Sequence, residues 1–422
     1  MRAGAASSDT LSKVQSDPLS PKEERPVEKF EKDAIISGLG ISRIGRRSGI
    51  PAMELTMEAV NAAIADAGLT AADIDGVSTL GDVPAADVIA ALGNRAADPG
   101  FAYPTGGLLT PVISALMAVS QRRAHHVLVY RTVQMLGGTM TQKGPSGPNP
   151  MANPPVEPRV PGTRRHIPPF GDLGDLMAAH AYSAANWLAM HCRRHMELYG
   201  TTKEQLGWLA INSRRNAARN PLATYRDPMT MDDYLAARPV STPFGLFDCD
   251  VPIDGSIALV ISRADHAADC PAPPVRVAAV GGSYGSGGWF HRDDYPKMAS
   301  TDAAAEMWAR TELRPSDVDV AELYDGFTFL TFAWLEALGF CGDGEAGPFV
   351  EGATRIALDG DLPLNTYGGQ LSAGRMHGYW LLHEACLQLR GQAGDRQVPR
   401  QPEVAVAAAG GGPIAGCLLL TR

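Results

Sequence analysis

Apolar residues in this chain fall into short unbroken runs and longer mixed segments, and the two kinds alternate. The run "AIISGLGIS" (Ala34–Ser42) reads as a strand covered on both faces. The segment "PAMELTMEAVNAAIADAG" (51–68) predicts a helix, with Pro51 suited to its first turn and Gly68 to its C-terminal stop. Further on, "TPVISALMAVSQRRAHHVLVYRT" (Thr110–Thr132) predicts a helix and then a strand. Near the end, "GYWLLHEACLQLRG" followed by "EVAVAAAGGG" predicts the same pair again. Residues 1–32 are polar, charged and rich in Ser and Pro, with little to bury, and read as a disordered tail.

The pattern also repeats. "TMEAVNAAIADAGLTAADIDGVSTL" (Thr56–Leu80) is echoed by "TDAAAEMWARTELRPSDVDVAELYD" (Thr301–Asp325), and Leu69, Asp73 and Asp75 keep the mutual spacing of Leu313, Asp317 and Asp319. Upstream, "AIISGLGIS" is echoed by "VRVAAVGGS" (Val275–Ser283); downstream, "DGSIALVISR" (Asp254–Arg263) is echoed by "GGPIAGCLLLTR" (Gly411–Arg422). Three matched segments in one order argue for duplicated α/β halves, 33–268 and 269–422, related by a pseudo-twofold. The first half also carries an insertion, 133–250. It opens with a Pro/Gly-rich stretch too long for a simple connection, which reads as a functional lid or a disordered segment.

Composition narrows the function. The chain has 422 residues, 45% hydrophobic and 20% charged, as in an ordinary globular protein. A net charge of -9 argues against a nucleic-acid surface, which needs clustered Lys and Arg. No apolar run reaches the roughly 18–20 residues of a membrane span, and the N-terminus lacks the apolar stretch of a secretory signal. Six cysteines without paired spacing read as reduced thiols in a cytoplasmic enzyme. His191 and His195 lie four apart on a helix, but no third metal ligand is evident, and a surface helix face is the expectation. "GGSYGSGGWFHRDD" (Gly281–Asp294) lacks the ending of a phosphate loop and reads as a flexible pocket loop.

Duplicated halves with an insertion in the first resemble the thiolase fold, and the details resemble its sterol carrier protein-x branch. The stretches that carry the resemblance are "MELYGTTKEQLGWLAINSRRNAARNPLATYRDPMTMDDYL", "STPFGLFDCDVPIDGSIALVIS", "ELYDGFTFLTFAWLEALGFCGDGEAGPFVEGA" and "LPLNTYGGQLSAGRMHGYWLLHEACLQLRGQAG". Against that family the departures are chemical. Where a thiolase places its nucleophilic cysteine, at a helix N-terminus that would activate it, the chain reads "YPTGGLLTPVISALMAV". The Cys-x-Gly turn reads "AAAGGGP", the Gly-His-Pro motif reads Gly374-Arg375-Met376, and the Asn-Glu-Ala-Phe motif reads Tyr324-Asp325-Gly326-Phe327. An acyl-enzyme cannot form without these groups, so thiolytic cleavage is excluded.

These replacements resemble those of the steroid side-chain-cleaving aldolases. The resemblance implies a five-layer α-β-α-β-α fold and retro-aldol cleavage of a steroid β-hydroxyacyl-CoA to propionyl-CoA and a ketosteroid. It implies no cofactor beyond the CoA thioester, a homodimer, and a small OB-fold, zinc-ribbon partner protein. It places Tyr324 and Tyr379 as the proton-transfer pair. A free tyrosine has a pKa of ~10, so phenolate at neutral pH costs roughly 4 kcal/mol. Arg375 and His377 are expected to lower that cost, with Asp325 orienting one of them. Gly106, Gly107, Gly368, Gly369 and Gly411 read as pocket-lining glycines or as turn residues, and Arg164, Arg165 and His166 as contacts to the CoA phosphates or as ordinary solvated loop charge. Two other readings stand beside this one: a non-catalytic acyl-CoA or sterol binder, and a decarboxylating or condensing relative.

Overall fold

The structure, a computed structural model, describes residues 29–80, 83–94, 107–136, 173–284 and 288–422. In the first half, β1 (Ala34–Ile41) leads through α1 (Ala52–Asp66), β2 (Gly76–Thr79), α2 (Ala85–Leu92) and α3 (Thr110–Ser120) to β3 (His126–Gln134). The insertion follows, with α4 (Leu173–Ala178), α5 (Ala184–Tyr199), α6 (Lys203–Ala217), α7 (Met231–Leu235) and a hairpin of β4 (Pro239–Ser241) and β5 (Phe244–Gly245). Strand β6 (Asp254–Arg263) closes that half. The second half runs β7 (Val275–Tyr284), α8 (Ala299–Trp308), β8 (Val320–Leu323), α9 (Thr328–Ala337), α10 (Ala346–Val350), α11 (Tyr379–Arg390), β9 (Val404–Gly411) and β10 (Ile414–Thr421).

The strand order is β2-β3-β6-β1-β7-β10-β9-β8. Read outward from the centre, it is the same four-strand pattern twice, joined where β1 meets β7 through Ile35–Arg276 and Ile36–Val275. The correspondence extends to irregularities. The β1–β6 register slips at Ser37, and the β7–β10 register slips at Ala278, the residue matched to Ser37 in the repeat. Close helix–strand packing is repeated too: a Cβ on Gly40 would sit 2.0 Å from Ala59 O, and one on Gly281 would sit 1.9 Å from Ala303 O. Only glycine lets α1 and α8 lie so near their strands.

Helix α1 packs on β1, β3 and β6, and α8 on β7 and β10. Helices α3 and α11 are buried along almost their whole lengths. Helix α11 touches β8 and β9 of its own half and β6 of the other, while the turn that starts α3 lies on β10 and β9. These two helices form the middle layer of an α/β stack. In the insertion, α6 packs on α9 and on the turn Gly369–Ala373 of the second half.

Three expectations need correction. The tail does not extend to residue 32: Phe30–Asp33 form a helical turn, and buried Glu31 pairs with Arg310 (Oε2–Nη2, 2.8 Å). His191 and His195 are buried rather than on a surface face, because each has a polar partner inside. His191 Nδ1 lies 3.0 Å from Pro296 O, and His195 lies 2.9 Å from Thr201 Oγ1 and 3.0 Å from Glu336 Oε1. Residues Gly281–Tyr284 belong to β7 rather than to a loop, and Trp289 beyond them packs against Trp187. Among the described residues, no helix is long and apolar enough to cross a membrane.

Candidate active site

Four segments far apart in sequence converge where β3 ends, and three of them are stitched together by backbone. Asp250 N donates to Gly326 O (3.1 Å), Val251 N to Gln370 O (2.9 Å) and Arg375 N to Val251 O (2.9 Å). Asp248 anchors the first of these segments: its buried carboxylate accepts from Gly245 N (2.6 Å), Thr328 Oγ1 (2.8 Å), Lys203 and Tyr234. Asp250, two residues on, is thereby fixed between Tyr324-Asp325-Gly326 and Gln370–Arg375.

Of the residues singled out in the sequence, Tyr324, Asp325, Arg375 and His377 meet here. Arg375 Nε lies 3.4 Å from Asp250 Oδ2 and donates to His377 Nε2 at 3.0 Å. A Cβ on Gly326 would stand 2.7 Å from Tyr324 Cε1 and 3.5 Å from Asp250 Oδ2, so the phenol and the carboxylate flank that glycine. Asp325 is fully buried and accepts from Gln370 N (2.8 Å) and Leu371 N (3.3 Å). It therefore orients the turn that carries Gln370, and Gln370 Oε1 in turn accepts from His377 N (3.1 Å). Tyr379 is also fully buried, at the start of α11, with its N–H on Met376 O (3.2 Å).

Two further residues escaped the sequence reasoning. Asp250 stands inside the quoted stretch "FDCDVPIDG", and Arg131 is a lone charge in the apolar strand "HVLVYRTVQ". That charge was the available signal. Arg131 donates to His377 Nδ1 through Nη2 (2.7 Å) and Nε (3.2 Å).

Burial and the neighbouring Arg375 act in opposite directions on Tyr324 and Asp250. Burial pushes the Tyr324 phenol above its ordinary range, and the opposing pull of Arg375 and Arg131 does not recover it. Tyr324 is therefore held as a neutral phenol rather than as a ready phenolate. Burial raises Asp250 despite Arg375, and it raises Asp325 to about 7 against the two backbone N–H groups. Burial first, then Arg131 and Arg375, hold His377 well below the usual imidazolium range, so its ring is neutral.

Four of the expected pocket glycines sit where the protein itself blocks a side chain. The side-chain direction of Gly107 meets the Ala415 backbone (2.7 Å), that of Gly368 meets Ala217 Cβ (2.5 Å), that of Gly369 meets Asp325 Oδ2 (2.0 Å) and that of Gly411 meets Leu330 Cδ2 (2.3 Å). Each of these four positions is closed to a larger residue by the protein's own atoms. Gly106, Arg164, Arg165 and His166 lie outside the described residues. A groove of about 430 Å³, lined by Arg214, Met229, Asp233 and Phe247 among others, reaches the turn Gly369–Ala373 through Arg214 Nε, which donates to Ser372 Oγ (3.0 Å).

All six thiols are pushed up by burial, Cys249, Cys341 and Cys386 to about 12 and Cys192, Cys270 and Cys417 in the same direction. No thiolate is available as a nucleophile at neutral pH.

The thiolase C-terminal domain-like family matches residues 285–418. The chain is 33% identical to the steroid side-chain-cleaving aldolase of Thermomonospora curvata, over 92% of this chain and 97% of that protein. It is 33% identical to the 17-hydroxy-3-oxo-4-pregnene-20-carboxyl-CoA lyase of Mycobacterium tuberculosis, over 92% and 98% of the two chains. Among solved structures, the Ltp2-ChsH2(DUF35) aldolase superposes with a TM-score of 0.80 at 30% identity, covering 93% of this chain and 99% of that one. A duplicated thiolase scaffold without an activated thiol, with these relatives over nearly its whole length, places the chain in the steroid side-chain-cleaving aldolase family of the thiolase superfamily.

Proposed function

We propose that the protein cleaves a steroid β-hydroxyacyl-CoA by a retro-aldol reaction, releasing propionyl-CoA and a ketosteroid without a covalent acyl-enzyme. The observation that carries this reading is the joining of Tyr324, Asp250, Arg375 and His377 in a corner with no thiolate. Such a cleavage needs a base for the tertiary hydroxyl, donors for the thioester oxygen as the enolate forms, and an acid to reprotonate carbon. Asp250 and Tyr324 supply a carboxylate and a phenol side by side. The hydroxyl proton passes toward that pair, and the C–C bond electrons move onto the thioester carbonyl. Arg375 and His377 supply the N–H donors, and Tyr379 completes the proton-transfer set. Nothing in the scheme asks for a cofactor beyond the CoA thioester.

In this reading the protein works in the cytoplasm as a homodimer and takes a small OB-fold, zinc-ribbon protein as its partner. The two-part name of the Ltp2-ChsH2(DUF35) aldolase supports such a complex. The test is incubation of the protein, with and without that partner, with a tertiary β-hydroxy steroid-CoA. Propionyl-CoA and the ketosteroid are expected in equal amounts. Their absence from both mixtures sinks the proposal.

A further inference from the structure

Gln370 is buried in the turn Gly369–Ala373, and all but one of its polar groups are engaged. Its backbone N donates to Asp325 Oδ1 (2.8 Å), and its backbone O accepts from Val251 N (2.9 Å). These bonds tie Gln370 to the chain neighbours of both Tyr324 and Asp250, the phenol and carboxylate that flank Gly326. Its side-chain Oε1 accepts from His377 N (3.1 Å). Only an oxygen can face that backbone N–H, so the bond fixes which way round the carboxamide lies. The other end, Nε2, is buried and finds no partner at hydrogen-bond distance among the described residues. A buried donor without an acceptor is costly, so its retention points to an acceptor that forms during turnover. Tyr324 is where that acceptor forms: the Gln370 side chain already acts on its phenol, favouring the ionised form, from beyond full bonding distance.

We propose that Gln370 is a positioning residue for proton transfer: its side-chain N–H, aimed by the bond to His377, closes on the Tyr324 oxygen each time that phenol gives up its proton. The proposal rests on the retro-aldol reading and deepens it by adding a residue behind the proton-moving pair. In that reading Asp250 takes the proton of the tertiary hydroxyl, and the C–C bond electrons move onto the thioester carbonyl. The Tyr324 O–H then breaks: its proton goes to the enolate carbon, and its electron pair stays on the phenol oxygen. Asp250 returns its proton to that oxygen, so the substrate's hydroxyl proton is balanced by the one gained at carbon. Burial opposes the middle step, because a phenolate out of water is disfavoured. A neutral N–H waiting beside the oxygen eases that step without holding the phenol ionised at rest. Arg375 and Arg131 also face Tyr324 and favour its ionised form, while Asp250 opposes it and the buried phenol of Tyr367 stays neutral. At rest Arg375 is engaged with Asp250 (3.4 Å) and His377 (3.0 Å), and Arg131 with His377 (2.7 Å), whereas Gln370 Nε2 is uncommitted.

The Tyr324 phenol itself gives the readout. A fluorinated tyrosine, whose phenol is more acidic, is placed at position 324 of the full chain, with its partner where one is required, and titrated by fluorine-19 resonance. Gln370→Met keeps the length of the side chain and removes its amide. Gln370→Glu keeps an oxygen for His377 N and removes the N–H. In both, the phenol should ionise at higher pH than in the wild-type background, by about one unit in Gln370→Met. With tyrosine at 324, kcat for a tertiary β-hydroxy steroid-CoA should fall about 10²-fold in Gln370→Met, with little change in KM. A purely structural role would spare Gln370→Glu, which keeps the bond to His377, and would leave the phenol midpoint where it was. An unmoved midpoint in Gln370→Met, or wild-type behaviour in Gln370→Glu, overturns the proposal. Should neither variant fold, the wild-type background decides: the nitrogen-15-labelled side-chain amide protons of Gln370 should move downfield as the fluorophenol ionises, and no movement overturns the proposal equally. Wild-type protein that binds the steroid-CoA without cleaving it overturns the retro-aldol reading instead, while the titration still decides the role of Gln370.

Discussion

Asp75 and Asp319 stand at matched positions of the two halves and perform the same task. Asp75 Oδ2 accepts from His125 N (2.6 Å) and His126 N (3.1 Å), where β3 begins. Asp319 Oδ2 accepts from Glu403 N (2.8 Å) and Val404 N (3.0 Å), where β9 begins. Each carboxylate thus fixes the register of a buried parallel strand against its neighbour, β2 with β3 and β8 with β9. Asp73 and Asp317 repeat the theme two residues earlier, capping their turns at Thr70 N and Arg314 N (2.8 Å each).

Replacing Asp75 or Asp319 by Ala should therefore cost a similar amount, about 1–2 kcal/mol each, since each change removes two charge-assisted bonds to backbone. The two lie at opposite edges of the sheet, so the double variant should show the sum. Chemical denaturation of the three variants measures this. Markedly unequal losses would mean that the halves are alike in shape but not in energetics.

The duplication was legible in the sequence because its markers are local. Gly40 and Gly281 mark close helix contact, and Asp75 and Asp319 stand a fixed distance from their helices. Tyr324, Asp325, Arg375 and His377 were legible for the same reason, as they sit in two short motifs. Arg131 and Asp250 were not. Arg131 finds its partner 246 residues away and Asp250 finds Arg375 125 residues away, and nothing in either neighbourhood encodes that meeting. The burial of His191 and His195 was hidden too, since the partners that make it tolerable, Pro296 O and Glu336, come from other segments. The raised phenol of Tyr324 is a balance of burial against charge, which residue identity alone cannot fix.

The Glu31–Arg310 pair ties the start of the fold to the second half, and Glu31 Oε1 also accepts from Val280 N (3.3 Å). Both side chains are almost wholly removed from solvent. Losing one partner strands the other charge, so Glu31→Ala should cost about 3–5 kcal/mol. A chain starting at Ala34 should lose a comparable amount. Thermal unfolding of the two forms checks this. A change too small to resolve would show that Arg310 finds another partner readily.

Glu322 faces Glu384 in the core, and both carboxylates approach Thr366 Oγ1 (2.7 and 3.0 Å). Burial and then Glu384 raise Glu322 well above its ordinary value, which favours its protonated form in the folded state. The unfolded chain releases that proton near pH 4.5, and stability then falls as pH rises above that point. Glu322→Gln should flatten this fall, leaving the smaller slope of Asp325, which is raised to about 7. Denaturation midpoints at pH 5 and pH 8 give the comparison. A wild type more stable at pH 8 than at pH 5, with the variant unchanged, would assign Glu322 as ionised.

Tyr324→Phe removes the phenolic hydroxyl while keeping the ring, and Asp250→Asn removes its neighbouring charge. Each should lower kcat by about 10²–10⁴-fold with little change in KM, as expected for groups that move protons in the transition state. The double variant should lose little more than the worse single one, because the two act as a unit. Fully additive losses would separate their roles.

Cysteine gives the sharpest contrast with thiolase chemistry. Burial raises all six thiols, and Cys249, beside Asp250, is pushed to about 12 with its Sγ donating to Gly245 O at 3.5 Å. Alkylating agents react with thiolate, so at pH 7 iodoacetamide should modify the folded enzyme slowly and leave its rate within about twofold. Cys249→Ser should likewise retain activity, since the hydroxyl can make the same bond to Gly245 O. An acyl-enzyme route would instead be abolished by either treatment. Inactivation that tracks modification of Cys249, protected by substrate, would restore a covalent mechanism and overturn the direct carbon–carbon cleavage argued from this site.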